Sequence, residues 1–249
     1  MSGKLFCVRF DSNLFIGLLS GIAMLLLSFG MNCFPGTVFS VLFLRSILMI
    51  FVLGFLYPLY MILFRENQSL SVLGVHTIRW KSSLFINIFA AFVLWIILSS
   101  TTQELQITKE NFYAISYIWV AGIFEMIFIF GFLRYKFEQS LGIIPAIIVT
   151  SVFYSLHHAG FQPEFIKLFF VGVMYLAIFY ITKNILIIFP FFWGVGAIWD
   201  VLQNSTAGEQ ISNAFSFFIS LCLFIGMIIA ASIMYYLLNF PKRERTLDQ

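Results

Sequence analysis

Long apolar stretches separated by short polar connections dominate the chain. The stretches lie at about residues 14–34, 38–64, 84–100, 111–133, 145–158, 164–182, 185–202 and 214–240. Most are near the 20 residues that an α-helix needs to cross a hydrocarbon core about 30 Å thick. No alternating strand pattern competes with them. The pattern predicts an all-α polytopic membrane protein, a single domain with about eight transmembrane helices.

Composition narrows the class of protein further. The 249 residues are 61% hydrophobic and 10% charged, whereas a typical soluble domain has about 25% charged residues. The cysteines Cys7, Cys33 and Cys222 are scattered, so neither a disulfide framework nor a CxxC metal site is indicated. The net charge of +3 comes from basic residues in loops and tails. We therefore expect membrane lipids, and no nucleic acid, as partners.

The distribution of basic residues predicts the topology. With the N-terminus in the cytoplasm, eight helices place eleven Lys and Arg residues inside and leave three outside, namely Arg45, Lys109 and Lys167. This bias agrees with the positive-inside rule. We expect a multi-pass protein of a bacterial cell membrane with both termini cytoplasmic. Asn111 is predicted to cap the fourth helix, and Arg134 to Glu138 to form the turn after it.

Glu125 is the first candidate for chemistry. It precedes the cytoplasmic Arg134 by nine residues, which is roughly 13 Å along a helix and close to the bilayer midplane. An ionisable group there costs at least about 2.5 kcal/mol and suggests a functional site by default. A glutamate of this kind can act as a general base for water. The alternative is a protonated glutamate that is hydrogen-bonded to a neighbouring helix.

Three further polar residues lie near the outer ends of helices. His157 and His158 are about 100° apart on the fifth helix, so one of them should face Glu125 and the other the membrane interface. The facing histidine can orient a water or bind an oxyanion. Asp200 shares a helical face with Gly196 and Asn204. It either binds a catalytic histidine or holds a water, or it caps the helix end or is solvated near the outer surface. If these groups meet Glu125, their cavity should open outwards.

A metal site has little support in the sequence. A catalytic zinc normally has three protein ligands, and the chain has three histidines, one of which, His76, lies in a predicted loop. A zinc ion would need His157 or His158 together with Glu125 and Asp200. We therefore expect no cofactor.

Three short segments carry a resemblance to a known family. Glu125 and Gly131 match a Glu-Glu-x-x-x-(x)-Arg-Gly motif, and Phe153 to His157 match Phe-x-x-x-His. Gly196 to Asp200 stand where His-x-x-x-Asn is expected. The segment, about residues 112–204, resembles the CAAX-protease and bacteriocin-processing (CPBP, or Abi) intramembrane proteases, which include the type II CAAX prenyl endopeptidases. If the motif spacing is counted from Ser151, His158 takes the place of the motif histidine instead of His157, a shift of one residue.

The motifs are incomplete, and this leaves two functions open. Met126 replaces the second glutamate, Phe130 the arginine and Gly196 the third-motif histidine. The resemblance implies that Glu125 and a histidine activate the water that hydrolyses a peptide bond in a membrane-embedded or lipidated substrate. The alternative is a pseudoprotease that acts as a scaffold, immunity-type or regulatory partner of another membrane protein.

Overall fold

The structure, a computed structural model, describes residues 4–101, 108–159, 163–203, 211 and 213–247. Within these ranges the secondary structure is helical, without strands. The helices are α1 Ser12–Cys33, α2 Phe39–Arg65, α3 Trp80–Thr101, α4 Lys109–Leu141, α5 Ile143–Ala159, α6 Glu164–Thr182, α7 Ile185–Gln203 and α8 Ala214–Leu247. The predicted polytopic helical bundle is confirmed.

The helix α5 differs from the others in length. The other seven helices are long and apolar enough to cross a membrane, whereas the apolar part of α5, Ile143–His158, is shorter. Gly142 joins it to α4 with a φ of +84°, a left-handed conformation that favours glycine. A Cβ there would also lie 2.8 Å from the carbonyl oxygen of Lys4. The chain therefore reverses sharply, and α5 packs back against α4 and α6.

Two predicted features of α4 are wrong. Thr108, and not Asn111, caps the helix, because its side chain accepts a hydrogen bond from the Asn111 N–H. The helix also continues past Leu133 to Leu141, so Arg134 to Glu138 are helical and do not form a turn. They remain in the helix because their charges are paired: Arg134 bonds Glu138 at 2.6 Å, and Lys136 pairs with Glu66.

The segments predicted to be cytoplasmic meet at one face of the bundle. The Cys7 N–H donates to the carbonyl oxygen of Leu141 at 2.8 Å, and Arg134 donates to that of Val72 at 2.7 Å. The Asn184 side chain donates to the carbonyl oxygen of His76 at 2.9 Å. These contacts agree with the predicted alternation of helices, in which α5 carries the chain to the opposite face. The side of the membrane that this face occupies stays a prediction.

The N-terminal segment is fastened to the turn between α4 and α5. The backbone N–H groups of Ile143 and Ile144, at the start of α5, donate to the carbonyl oxygens of Lys4 and Leu5 at 3.0 and 3.1 Å. Asp11 caps α1 and also accepts a hydrogen bond from the Ser140 hydroxyl. That bond holds the pKa of the Asp11 carboxyl below its usual value. The segment thus supplies acceptors for N–H groups that a helix start leaves unpaired.

Candidate active site

Glu125 and His158 are brought together by α4 and α5. The Nε2 atom of His158 lies 3.3 Å from Oε1 of Glu125. The second carboxylate oxygen, Oε2, accepts a hydrogen bond of 2.9 Å from Nε1 of Trp193 on α7. Glu125 begins a stretch of α4 with π-type hydrogen bonding, a distortion frequent at functional sites. Both oxygens of the carboxylate are therefore engaged by neighbouring helices.

His157 has a separate partner, as the angle between adjacent helical residues predicted. Its Nδ1 lies 2.7 Å from the Ser28 hydroxyl on α1, and its ring packs edge-on against Phe124. Ser28 donates its own hydrogen to the carbonyl oxygen of Met24 at 3.0 Å. Ser28 thus joins Nδ1 of His157 to the backbone of α1. His157 thus contacts α1 and not Glu125, and its position relative to the membrane interface stays a prediction.

Trp193 is a site residue that the sequence did not indicate. Its indole is buried, and it reaches Glu125 across 68 positions in the chain. Gly122, one turn before Glu125, makes room for it, because a Cβ at that position would overlap the indole ring. A tryptophan in an apolar helix gives no sign of such a role. Gly122, three residues before Glu125, is the sequence feature that could have indicated a large side chain packed at this point.

A cavity of about 720 Å³ contains Glu125 and both histidines. It extends to Asn32 and Pro35, at the turn between α1 and α2, and to Ile211 before α8. This is the end of the bundle opposite to the face where Arg134 and Lys136 lie. About 33% of the His158 side-chain surface is accessible, against 13% for Glu125. The cavity thus opens at the end of the bundle that the predicted topology places on the outer side, and that orientation stays a prediction.

Arg45 is a second residue whose role the sequence did not indicate. The sequence indicated Arg45 only as one of three basic residues on the predicted outer side. In the structure it lines the cavity together with Glu125. His157 and Tyr117 line the same cavity, and the Tyr117 hydroxyl bonds that of Ser46 at 2.9 Å. Arg45 therefore gives the cavity a positive charge.

Asp200 lies beside the site rather than inside it. Its side chain is exposed near the end of α7, as one of the two predictions had it. Its predicted neighbour on the helical face, Asn204, lies outside the described residues.

The residues that replace the missing motif positions are packed in apolar surroundings. Met126 lines a separate apolar cavity, where a second glutamate would have no polar partner. Phe130 lies between the rings of Tyr154 and Tyr175, with centroid distances of 5.3 and 5.6 Å. No group of three His, Cys, Asp or Glu side chains in the described part of the chain is placed to hold a metal ion.

The fold and the site define a polytopic membrane protein with a glutamate–histidine pair at membrane depth. Residues 107–198 match the family described as type II CAAX prenyl endopeptidase Rce1-like. The match confirms the resemblance to the CAAX-protease family that the motifs predicted. It contains Glu125, both histidines and Gly196, and ends before Asp200. Curated proteins and solved structures give no significant match.

For the endopeptidase activity proposed below, we expect Trp193→Phe to lower turnover without changing substrate binding. The variant keeps an aromatic ring beside Phe189 but removes the N–H that holds Oε2 of Glu125. A hydrogen bond to a charged group contributes about 1.5–3 kcal/mol, which corresponds to roughly 10- to 150-fold in kcat. Trp95→Phe, at an exposed position on α3, is the matched control. Equal kcat values for the two variants would refute a role for Trp193.

Proposed function

We propose that the protein is an intramembrane endopeptidase that hydrolyses a peptide bond in a membrane-embedded or lipidated substrate. The observation that carries this proposal is the 3.3 Å contact between Glu125 and His158 inside a cavity at membrane depth. The Rce1-like match supports the same activity, because that family is one of endopeptidases. The name of the family, type II CAAX prenyl endopeptidase, also indicates prenylated peptides as the first substrates to test.

The geometry supports different roles for Glu125 and His158 in the proposed reaction. Glu125 takes a proton from a water molecule, whose oxygen attacks the carbonyl carbon of the peptide bond. The His158 N–H then stabilises the oxyanion of the tetrahedral intermediate. When the C–N bond breaks, the proton held by Glu125 passes to the departing amine. Trp193 holds the carboxylate through Oε2 and leaves Oε1 directed at His158.

The charge in the cavity supports hydrolysis of this kind. Negative charge develops on the substrate oxygen in the transition state, in a place with few competing water dipoles. Arg45 lines the same cavity as Glu125 and both histidines. Its positive charge lowers the cost of that negative charge even at a distance, because apolar surroundings screen it weakly. It thus offsets part of the loss of the motif arginine at Phe130.

The adjacent histidines offer an internal test of the proposal. The purified protein would be reconstituted in phospholipid vesicles with a mixture of single-span and S-farnesylated peptides of randomised sequence. New peptide ends would be identified by mass spectrometry. We expect His158→Gln to lower kcat by about 100- to 1000-fold, the usual effect of losing one oxyanion donor. His157→Gln, in contrast, should lower it less than about tenfold, because it loses one neutral hydrogen bond to Ser28.

The outcome is decided by the contrast between the two variants. Equal losses would mean that the 3.3 Å contact of His158 with Glu125 has no special role in turnover. Absence of new peptide ends with the unmodified protein, across all peptides in the mixture, would count against an endopeptidase.

A further inference from the structure

The N-terminal segment, residues 4–10, leaves its large apolar side chains uncovered by the rest of the protein. The exposed fractions are 62%, 66%, 71% and 82% for Leu5, Phe6, Val8 and Phe10. A group of exposed apolar side chains marks a surface that binds something outside the chain. The segment precedes α1 and is not part of a membrane-crossing helix, so a lipid-facing helix side does not account for its exposure.

Backbone hydrogen bonds hold this segment in an extended conformation. The N–H groups of Cys7 and Arg9 donate to the carbonyl oxygens of the last two residues of α4 at 2.8 and 2.9 Å. Bonding by alternate residues is typical of an extended chain, in which alternate side chains lie on the same face. Val8 and Phe10 therefore share one face, and the backbone bonds fix its direction relative to α4.

The start of α5, to which the segment is fastened, has no unpaired N–H group. A helix leaves its first four N–H groups without a partner in the helix, and at an exposed end water can supply one. Gly142 donates to the carbonyl oxygen of Glu138 at 3.1 Å. Ile143 and Ile144 donate to carbonyl oxygens of the N-terminal segment, and Pro145 has no N–H. This complete pairing suits a place that water does not reach, where an unpaired N–H is costly.

Helix α5 is also too short to reach both boundaries of a bilayer. Its 17 residues give a length of about 26 Å, against a hydrocarbon core of about 30 Å. Its far end carries the two histidines that line the cavity. The start of α5 and the segment bound to it are therefore placed at the edge of the acyl chains rather than in water.

Two exposed cations accompany the apolar side chains. Lys4 and Arg9 lie near the two ends of the segment, and neither forms an ion pair within the part of the chain that the structure describes. Asp11, the next acidic residue along the chain, already accepts hydrogen bonds from the start of α1 and from Ser140. Cations beside exposed apolar side chains suit a phospholipid surface, where anionic headgroups lie next to acyl chains.

We propose that the N-terminal segment binds the phospholipid surface, with Val8 and Phe10 among the acyl chains and Lys4 and Arg9 at anionic headgroups. Apolar side chains combined with cations are the composition of elements that lie in a membrane interface. The predicted topology places this end of the bundle at the cytoplasmic leaflet, which carries the negative surface potential. The bound segment fixes the near end of α5, the helix whose far end carries His158. This inference does not depend on the proposed endopeptidase activity.

A spin label on the segment tests its depth in the bilayer. In a background with Cys7→Ser, Cys33→Ser and Cys222→Ser, the label is attached through Val8→Cys, and the protein is reconstituted in vesicles of phosphatidylcholine and phosphatidylglycerol. Gln68→Cys, at an exposed polar position in the connection after α2, is the matched control. We expect the label at residue 8 to collide mainly with oxygen, which concentrates among acyl chains. The label at residue 68 should collide mainly with a water-soluble nickel chelate.

Two results of this measurement would overturn the proposal. One is a label at residue 8 that the nickel chelate reaches as readily as the label at residue 68, which would place the segment in water. The other is dipolar broadening between labels at residue 8, which would mean that a second copy of the chain covers the segment instead of lipid.

Hydrogen exchange at the start of α5 tests what the lipid contributes. The exposed Phe10 side chain has little protein contact to lose, yet Phe10→Ser should speed exchange of the Ile143 and Ile144 N–H groups about tenfold or more, the effect of exposing one large apolar side chain. Lys4→Gln combined with Arg9→Gln should speed it by roughly fivefold for each charge when the vesicles contain phosphatidylglycerol. In phosphatidylcholine alone the charge variant should exchange like the unmodified protein.

The control for the exchange measurement is Gln68→Ser, which should leave the rates at the start of α5 unchanged. Exchange in Phe10→Ser at the rate of the unmodified protein would overturn the proposal, because the apolar side chain would then have no lipid contact. An equal effect of the charge variant in both kinds of vesicle would also overturn it, since the two cations would then act within the protein and not on anionic headgroups.

Discussion

Glu125→Gln is expected to lower kcat by about 1000-fold or more while KM stays near its original value. Glutamine has the size of glutamate, and its amide oxygen can still accept the hydrogen bond from Trp193. It cannot take a proton from water, however, and general base catalysis contributes about 100- to 10,000-fold. This should be the largest loss from any single substitution in the cavity, because the proton acceptor itself is removed.

The measurement uses the vesicle assay with peptides that the unmodified protein cleaves. Glu110→Gln is the matched control, since Glu110 lies on the same helix α4 but is exposed at its first turn. Retained turnover in Glu125→Gln would contradict the proposed mechanism. If Glu125→Gln also leaves the cellular phenotype intact while substitutions on outer helix faces destroy it, the pseudoprotease alternative is favoured.

For the proposed hydrolysis, the site contains the base and the histidine but lacks two supporting residues of the family motifs. Glu125 and His158 remain in contact, whereas Phe130 and Gly196 replace an arginine and a histidine of the family motifs. Losing one oxyanion donor typically costs about 100- to 1000-fold in rate. Arg45 lines the same cavity, and Trp193 donates a hydrogen bond to the Glu125 carboxylate. Neither residue occupies a motif position, so in the proposed mechanism this support comes from other helices.

The helices were predictable because hydropathy in a membrane is a strong constraint. Backbone groups in lipid have to be paired within the helix, so each long apolar stretch becomes a helix. Failures occurred where charges are paired inside the protein. Arg134 and Lys136 were predicted to lie in a turn after the fourth helix. Both side chains are buried, however, and the helix continues to Leu141. Sequence alone does not reveal that Glu66 and Glu138 neutralise them.

The candidate site was predictable only for residue types that are rare in a membrane. Glu125, His157 and His158 stood out because ionisable groups are costly at that depth. Trp193 belongs to the 19% of residues that are aromatic, so its type carried no signal. Its position depends on a contact between helices, namely the room that Gly122 leaves for its indole. A contact of this kind is a property of packing, and periodicity does not encode it.

The second large effect is expected for stability, at the ion pair between Lys136 and Glu66. The Lys136 side chain is 1% exposed and that of Glu66 23% exposed. Lys136 also donates to Oδ1 of Asn13 at 3.0 Å, so it joins α4 to α1 as well as to the end of α2. Removing one partner of a buried pair typically costs about 3–5 kcal/mol, because the other charge is left uncompensated. The unequal exposure of the two partners should make the two single variants differ.

Glu66→Met should lower the free energy of unfolding by about 3 kcal/mol or more, because it leaves the charge of Lys136 buried without its ion-pair partner. Lys136→Met should cost less, about 1–2 kcal/mol, because Glu66 is partly hydrated and can accept hydrogen bonds from water. The double variant should recover most of the loss, as replacing a buried pair with apolar groups is often near neutral. Denaturant unfolding in detergent micelles measures all three, with the exposed Lys81→Met as control. Two results would contradict the interpretation that the burial of Lys136 determines the effect. One is an equal loss of unfolding free energy in the two single variants, and the other is a loss in the double variant equal to the sum of the single losses.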